Sequence, residues 1–169
     1  RPRLLQRCLK AIHQLIYPQF EIIVVACPDG ARFARSFEDQ RLLRVVDFDV
    51  PNISVARNFG IAHANGTLVA FIDDDAVPEP TWLLYLAEAF TDTAVAQCGG
   101  TTLGRNGLSV QNGASRVSLH GVTIPFPGLE TEPSIIPAGN GLVPRLQGTN
   151  MAIRRSVLHD CDGFDPSYA

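Results

Sequence analysis

The stretch Leu68-Val69-Ala70-Phe71-Ile72-Asp73-Asp74-Asp75 decides how this chain is read. Its apolar run has the length and β-branched content of a strand buried on both faces. It ends in three consecutive carboxylates. In open α/β sheets, ligands bind at that carboxyl edge. Three adjacent carboxylates repel one another and invite a counter-charge. Mg²⁺ or Mn²⁺ suits the place, because these ions prefer oxygen ligands and bridge one or two carboxylates to a substrate phosphate. The plain alternative is a solvated acidic turn.

Immediately upstream, Ser54 has the character of a helix N-cap. Val55, Phe59 and Ala62 form an apolar stripe, and Asn65-Gly66 stops the helix. Arg57 and Asn58 fall in its first turn, where Arg57 either faces a phosphate or is an exposed helix arginine. Further back, Leu5, Cys8, Leu9, Ile12 and Leu15 recur at helical spacing over residues 4–15, and Tyr17-Pro18 ends that helix. Residues 20–25 read as a buried strand, Cys27-Pro28-Asp29-Gly30 as a turn, 31–40 as a weak helix around Phe33 and Phe37, and 42–46 as a short strand. This is a βαβ rhythm without an opening strand.

Downstream, Pro78 and Pro80 break the strand, and Pro80 suits a first helical turn. Trp82, Leu83, Leu86 and Phe90 give the next helix its buried face. Trp82 reads as core rather than as a stacking platform. Residues 94–98 form a short strand closing on Gly99-Gly100, a pair that suits either close backbone approach to a ligand or a plain turn. Residues 103–146 are dense in glycine and proline, with Val117 and Leu119, then Val122, Ile124 and Phe126, alternating as strands do. Such a segment is functional or mobile, and ordering on donor binding is expected of it. Residues 146–153 read as a strand broken by Gly148, residues 154–159 as a short helix, and Asp162-Gly163-Phe164-Asp165 as a turn.

The chain has 169 residues, which suits one domain, and 46% of them are hydrophobic, enough for a sizeable core. A net charge of −3 gives no electrostatic argument for nucleic acid or an anionic membrane. No apolar run approaches the roughly 20 residues of a membrane span, and no signal-peptide pattern opens the sequence. Cys8, Cys27, Cys98 and Cys161 show neither metal-clip spacing nor a disulfide framework. Reduced thiols suit the cytoplasm. The sequons at Asn52-Ile53-Ser54 and Asn65-Gly66-Thr67 read as incidental.

Several motifs agree with one another. Asn52-x-Ser54-x-Ala56-Arg57-Asn58-x-Gly60-Ile61, Ala64-x-Gly66, Phe71-Ile72-Asp73-Asp74-Asp75 and Pro78-x-x-x-Trp82-Leu83 together resemble the central block of family-2 glycosyltransferases of the GT-A fold. Gly148-Thr149-Asn150-Met151-Ala152-x-Arg154-Arg155, followed by Gly163-Phe164-Asp165, resembles their later, acceptor-side block. The resemblance implies a Rossmann-like, mostly parallel α/β sheet flanked by helices, lacking the family's first strand. Residues 1–169 would then be a single domain, incomplete at both ends.

The resemblance also implies an activity. These enzymes move a sugar from a nucleoside diphosphate-sugar to an acceptor hydroxyl, saccharide or lipid-linked, with inversion at the anomeric carbon. Negative charge builds on the leaving diphosphate, and Mn²⁺ or Mg²⁺ neutralises it. Carried onto this sequence, Asp75 and Asp73 are the metal residues. Asp73 also lies near the ribose, and Asp74 stands between the two roles. Arg57 lies by the nucleotide or diphosphate, and Gly148, Thr149 and Asn150 by the donor sugar or acceptor. The expected location is the cytoplasm, free or at the inner face of the cell membrane.

The sequence departs from the family in three places. The opening strand and its nucleotide-contacting loop are not in this sequence. The family's acidic pair is replaced by Ala26 and Cys27, with Asp29 as the substitute. The general base is expected beyond Ala169, Asp165 being a turn residue, so residues 1–169 alone are expected to be inactive. The strands at 20–25 and 67–72 are expected not to pair with each other.

Two other readings compete. A haloacid-dehalogenase-like, Mg²⁺-dependent phosphohydrolase would use Asp73 as nucleophile and Asp75 as general acid. That motif belongs on the first strand of its fold and needs a downstream lysine, whereas Lys10 is the sole lysine here. The third reading is a nucleotide-sugar-binding module without turnover.

Overall fold

The computed structural model describes residues 1–37, 42–112, 115–118, 122–125, 135–137, 139 and 142–168. Helix α1 (Pro2–Ile12) starts with proline, whose missing N–H is not needed in a first turn. It buries Cys8, Leu9 and Ile12, and Leu15 just beyond it is buried as well. The helix ends three residues before the expected position because Ile16 donates its N–H to the Pro80 carbonyl at 2.9 Å, which takes the chain away from the helix axis. Leu9 is 1% exposed, so truncation to alanine costs about 2–5 kcal/mol.

Strand β1 (Ile22–Ala26) pairs in parallel with β2 (Leu43–Asp47), from Ile22 opposite Leu43 to Ala26 opposite Asp47. Helix α2 (Pro28–Arg35) makes the crossover and packs on both strands. The turn expected at Cys27-Pro28-Asp29-Gly30 is the start of this helix, with Cys27 at the N-cap and Pro28 at the first helical position. Ala31 and Ala34 are fully buried, and side chains this small let α2 lie close to the strands. The end of the helix expected over 31–40 lies outside the described residues.

Helix α3 (Ile53–His63) is capped two residues earlier than expected. Asn52, in extended backbone, accepts from the Val55 N–H at 2.9 Å, while Ser54 is a buried helical residue. Strand β3 (Leu68–Phe71) follows, and its residues are half-buried rather than buried on both faces. Helix α4 (Trp82–Ala89) begins two residues after Pro80, with Thr81 at its N-cap. The short strand β4 is Gln97–Gly99.

The remaining elements are β5 (Thr102–Leu103), β6 (Val110–Asn112), β7 (Ser115–Ser118), β8 (Thr123–Pro125), β9 (Leu142–Arg145), β10 (Met151–Arg154) and α5 (Arg155–Asp160). β5 pairs with β6, and β7 lies between β8 and β9, all antiparallel. The alternation at Val117, Val122 and Ile124 therefore marks a hairpin. Leu119 and Phe126 fall outside the described residues, as does much of the segment for which mobility is expected.

The largest difference from expectation lies in the second sheet. β10 inserts between β3 and β4, antiparallel to both, with Met151 opposite Phe71 on one side and Gly99 on the other. Met151, Ala152 and Ile153 are all buried, so β10 is the central strand. The sheet is thus not mostly parallel: among the described strands, β1–β2 is the one parallel pair. β10 reaches its place from the β9 side through a turn rather than through a crossover helix, and such an entry permits antiparallel pairing. As expected, β1 and β3 do not pair among the described residues. The α1 core packs against Ile22 and Val24 of the first pair and also against Ile72, just past β3, so α1 spans the two sheets.

Candidate active site

Chemistry gathers where β3 ends. Asp73 leaves the strand, and its carbonyl accepts from the Ala76 N–H at 3.1 Å, which makes a turn that presents Asp73, Asp74 and Asp75 to solvent. The Asp73 backbone is held from two sides. The Cys8 thiol donates to its carbonyl at 3.6 Å, and its N–H donates to the Thr149 hydroxyl at 3.3 Å. Burial, then the charges of Asp74, Asp75 and Asp73, push the Cys8 thiol up to about 11. Cys8 is therefore a neutral support under the acidic turn.

The carboxylates already share a cation. The Arg1 guanidinium lies 3.0 Å from an Asp75 oxygen and 3.8 Å from an Asp74 oxygen. Arg1 thus lies beside Asp75 and, at longer range, Asp74; the expected metal residues are Asp75 and Asp73. Among the described residues, no three histidine, cysteine, aspartate or glutamate side chains form a ready metal cage. Three exposed carboxylates on one turn suit a Mg²⁺ or Mn²⁺ that completes its shell with water and substrate phosphate.

Arg57 leaves α3 toward this place. Its guanidinium carbon sits 5.9 Å from the Phe71 ring centre and 5.4 Å from that of Phe164. It also lies so close to Gly148 that a β-carbon there would overlap it. Three segments distant in sequence therefore meet: Arg57, the acidic turn, and the Gly148-Thr149 loop.

Asn150 has an architectural task. Its carboxamide oxygen accepts from the Trp82 indole N–H at 2.9 Å, and its nitrogen donates to the Thr101 carbonyl at 3.3 Å. Gly99 and Gly100 make room for it, since a β-carbon at Gly99 would lie 2.5 Å from the Asn150 carbonyl oxygen. The close approach that this glycine pair permits is thus to Asn150.

Asp29 stands apart. It lies in the first turn of α2, exposed and paired with Arg32 at 3.4 Å. The cleft at the carboxyl ends of β1 and β2, about 520 Å³, is lined instead by Ala26, Cys27, Phe48, Asp49, Asn52 and Ala56, among others. Asp49 is the carboxylate that the sequence reading missed. Its only sequence trace is its position in the loop joining β2 to α3. Ala56 lines this cleft and the next residue, Arg57, reaches Phe71, so α3 joins the cleft to the acidic turn. Asp165 accepts from the Ser167 N–H at 2.8 Å, which holds its carboxyl below the usual range, as befits a turn residue.

Comparison with known proteins agrees with this geometry. The family model described as glycosyl transferase family 2 matches residues 1–161. The chain is similar to glycosyltransferase AglE of Haloferax volcanii, 29% identical over 105 residues, which are 57% of this chain and 34% of AglE. Among solved structures it resembles the mannosyltransferase PcManGT from Pyrobaculum calidifontis, in complex with GDP-Man and Mn²⁺. That match has a TM-score of 0.69 and 19% identity, over 98% of this chain and 45% of that one. It also resembles S. aureus TarS 1-349 in complex with UDP-GlcNAc, with a TM-score of 0.65 and 18% identity, over 96% of this chain and 44% of that one. These likenesses show a GT-A fold. The chain spans about a third of the length of AglE and under half of either solved structure.

Proposed function

The chain belongs to glycosyl transferase family 2, and from that premise we propose that the site at the end of β3 binds a nucleoside diphosphate-sugar together with a divalent cation. The sugar then passes to an acceptor hydroxyl, saccharide or lipid-linked, with inversion. The observation that carries this reading is the meeting of Arg57, the acidic turn and the Gly148-Thr149 loop, which supplies cation ligands and a guanidinium in one place.

Each residue has a task in this reading. Asp75 holds the cation. Asp73 is its partner and also lies toward the ribose, with Asp74 between the two roles. The cation, when bound, offsets the negative charge that develops on the leaving diphosphate. Arg57 adds a second positive charge on the diphosphate. Gly148 and Thr149 face the donor sugar or acceptor, with Asn150 fixing their loop. The cleft lined by Asp49 and Cys27 receives the base.

The structure gives the phosphohydrolase reading no support. Asp73 follows the third strand rather than the first, and that strand pairs antiparallel with β10. Among the described residues, no helix is long and apolar enough to cross a membrane.

The test is incubation of the protein with UDP-sugars, GDP-sugars and phosphate monoesters, with and without Mn²⁺. Metal-dependent binding of a nucleotide-sugar by residues 1–169 is expected. Equal binding with and without Mn²⁺, or release of phosphate from the monoesters, overturns the proposal.

A further inference from the structure

We infer that Asn58 and Phe164 are positioning residues that set the Arg57 guanidinium for the donor diphosphate. The inference rests on the reading of Arg57 given above and extends it to two side chains that act through Arg57.

Phe164 is delivered by an unusual turn. Asp162 and Gly163 both adopt left-handed backbone, at φ 56° and φ 77°, directly after α5. Asn58 then grips the next residue twice. Its carboxamide oxygen accepts from the Phe164 N–H at 2.8 Å, and its nitrogen donates to the Phe164 carbonyl at 2.7 Å. A side-chain amide offers both a donor and an acceptor, so it pairs with a backbone residue as a neighbouring strand does. Gly163 is required at this approach, because a β-carbon there would collide with the Asn58 carboxamide. The grip continues along the first half of α3: Asn52 donates to the Pro166 carbonyl at 2.9 Å, and the buried Ser54 hydroxyl to that of Tyr168 at 2.6 Å.

The consequence falls on Arg57. The Phe164 ring stands edge-on to Phe71, with centres 5.4 Å apart and planes at 88°. The guanidinium lies against both rings. Among the described residues, no carboxylate lies within ion-pair distance of it. A half-buried guanidinium held by aromatic faces keeps its N–H donors and its full charge for an anion. Removing the Phe164 ring leaves Arg57 charged but free to choose other rotamers, so affinity for the diphosphate falls through lost positioning.

A double-mutant cycle tests this. Binding of UDP and GDP, with UMP and GMP as controls, is measured by calorimetry in Mn²⁺ for the unaltered protein, Arg57→Ala, Phe164→Leu and the pair together. Phe164→Leu is expected to weaken diphosphate binding roughly fivefold to tenfold and to leave monophosphate binding unchanged. The pair is expected to bind no more weakly than Arg57→Ala alone. Phe164→Tyr, which keeps the ring, restores binding. Asn58→Asp, which keeps the acceptor and removes the donor, repeats the pattern if the leucine variant does not fold. Losses that simply add, or a Phe164→Leu loss shared equally by the monophosphates, overturn the inference while leaving the site reading intact. Diphosphate binding that is indifferent to Arg57→Ala overturns both.

Discussion

The Asp73 backbone N–H donates to the Thr149 hydroxyl at 3.3 Å, across 76 residues of sequence. This bond ties the acidic turn to the loop before β10, so the nucleotide side of the site is registered against the sugar side. One such hydrogen bond contributes a net ~0.5–1.5 kcal/mol. Thr149→Val keeps the shape and loses the acceptor, and it should weaken Mn²⁺-dependent nucleotide-sugar binding about two- to tenfold. Thr149→Ser should restore it. Calorimetric titration of the two variants provides the check.

Gly148→Ala should act through Arg57. The added methyl would occupy the space of the guanidinium, which two aromatic rings keep from moving aside. We expect diphosphate affinity to fall on the order of tenfold, the scale of a lost charge-assisted contact, with little change in melting temperature. In an Arg57→Ala background the same substitution should do nothing further. Thermal melts and titrations of the single and double variants decide the matter.

What was legible in the sequence was local. The stripe Cys8, Leu9, Ile12 marked α1, and the apolar run before Asp73 marked β3 and the place of the site. What escaped was non-local. Met151-Ala152-Ile153 reads as an ordinary apolar strand, and nothing in its spacing says that it enters between β3 and β4 antiparallel to both. Ser54 and Asn52 are both good caps by type. The choice falls on Asn52, which stands in extended backbone before the helix and accepts from the Val55 N–H, whereas Ser54 lies inside the first turn. The contacts of the Asn150 carboxamide with Trp82 and Thr101 come from partners that only the folded chain supplies. Asp29 and Asp49 are each plausible by position, and only the packing of α3 against β1 puts the cleft beside Asp49.

Glu21 should give stability a pH dependence in the acid range. Partial burial raises its pKa, but the Asn65 and Gly66 N–H groups and the Arg44 charge outweigh this and hold the carboxyl below its ordinary 4.5. A folded-state pKa below the unfolded value contributes stability above the unfolded pKa, and this is lost as pH falls through the folded value. Glu21→Gln should therefore melt below the unaltered protein at pH 7, with the difference shrinking as pH drops below about 4.5. A difference constant from pH 7 to pH 3 would contradict the assignment.

The cysteines should separate by environment. Cys27 and Cys161 are exposed, whereas burial pushes the Cys8 and Cys98 thiols up to about 11. At pH 8 the first two should alkylate readily and the other two slowly, because the thiolate is the reactive form. Cys27 lines the cleft, so saturating nucleoside diphosphate with Mn²⁺ should slow its alkylation and leave Cys161 unaffected. Peptide mass mapping over a time course reads both effects.

The central claim is that the acidic turn after β3 binds a diphosphate through a divalent cation. Calorimetric titration of UDP and GDP into the protein, once in Mn²⁺ and once in EDTA, tests it most directly, with Asp75→Ala alongside. We predict that one nucleotide binds at least tenfold more tightly in Mn²⁺, the scale of a lost charge-assisted contact, and that Asp75→Ala abolishes the difference. Equal affinity in Mn²⁺ and EDTA, or a metal effect that survives Asp75→Ala, would contradict it.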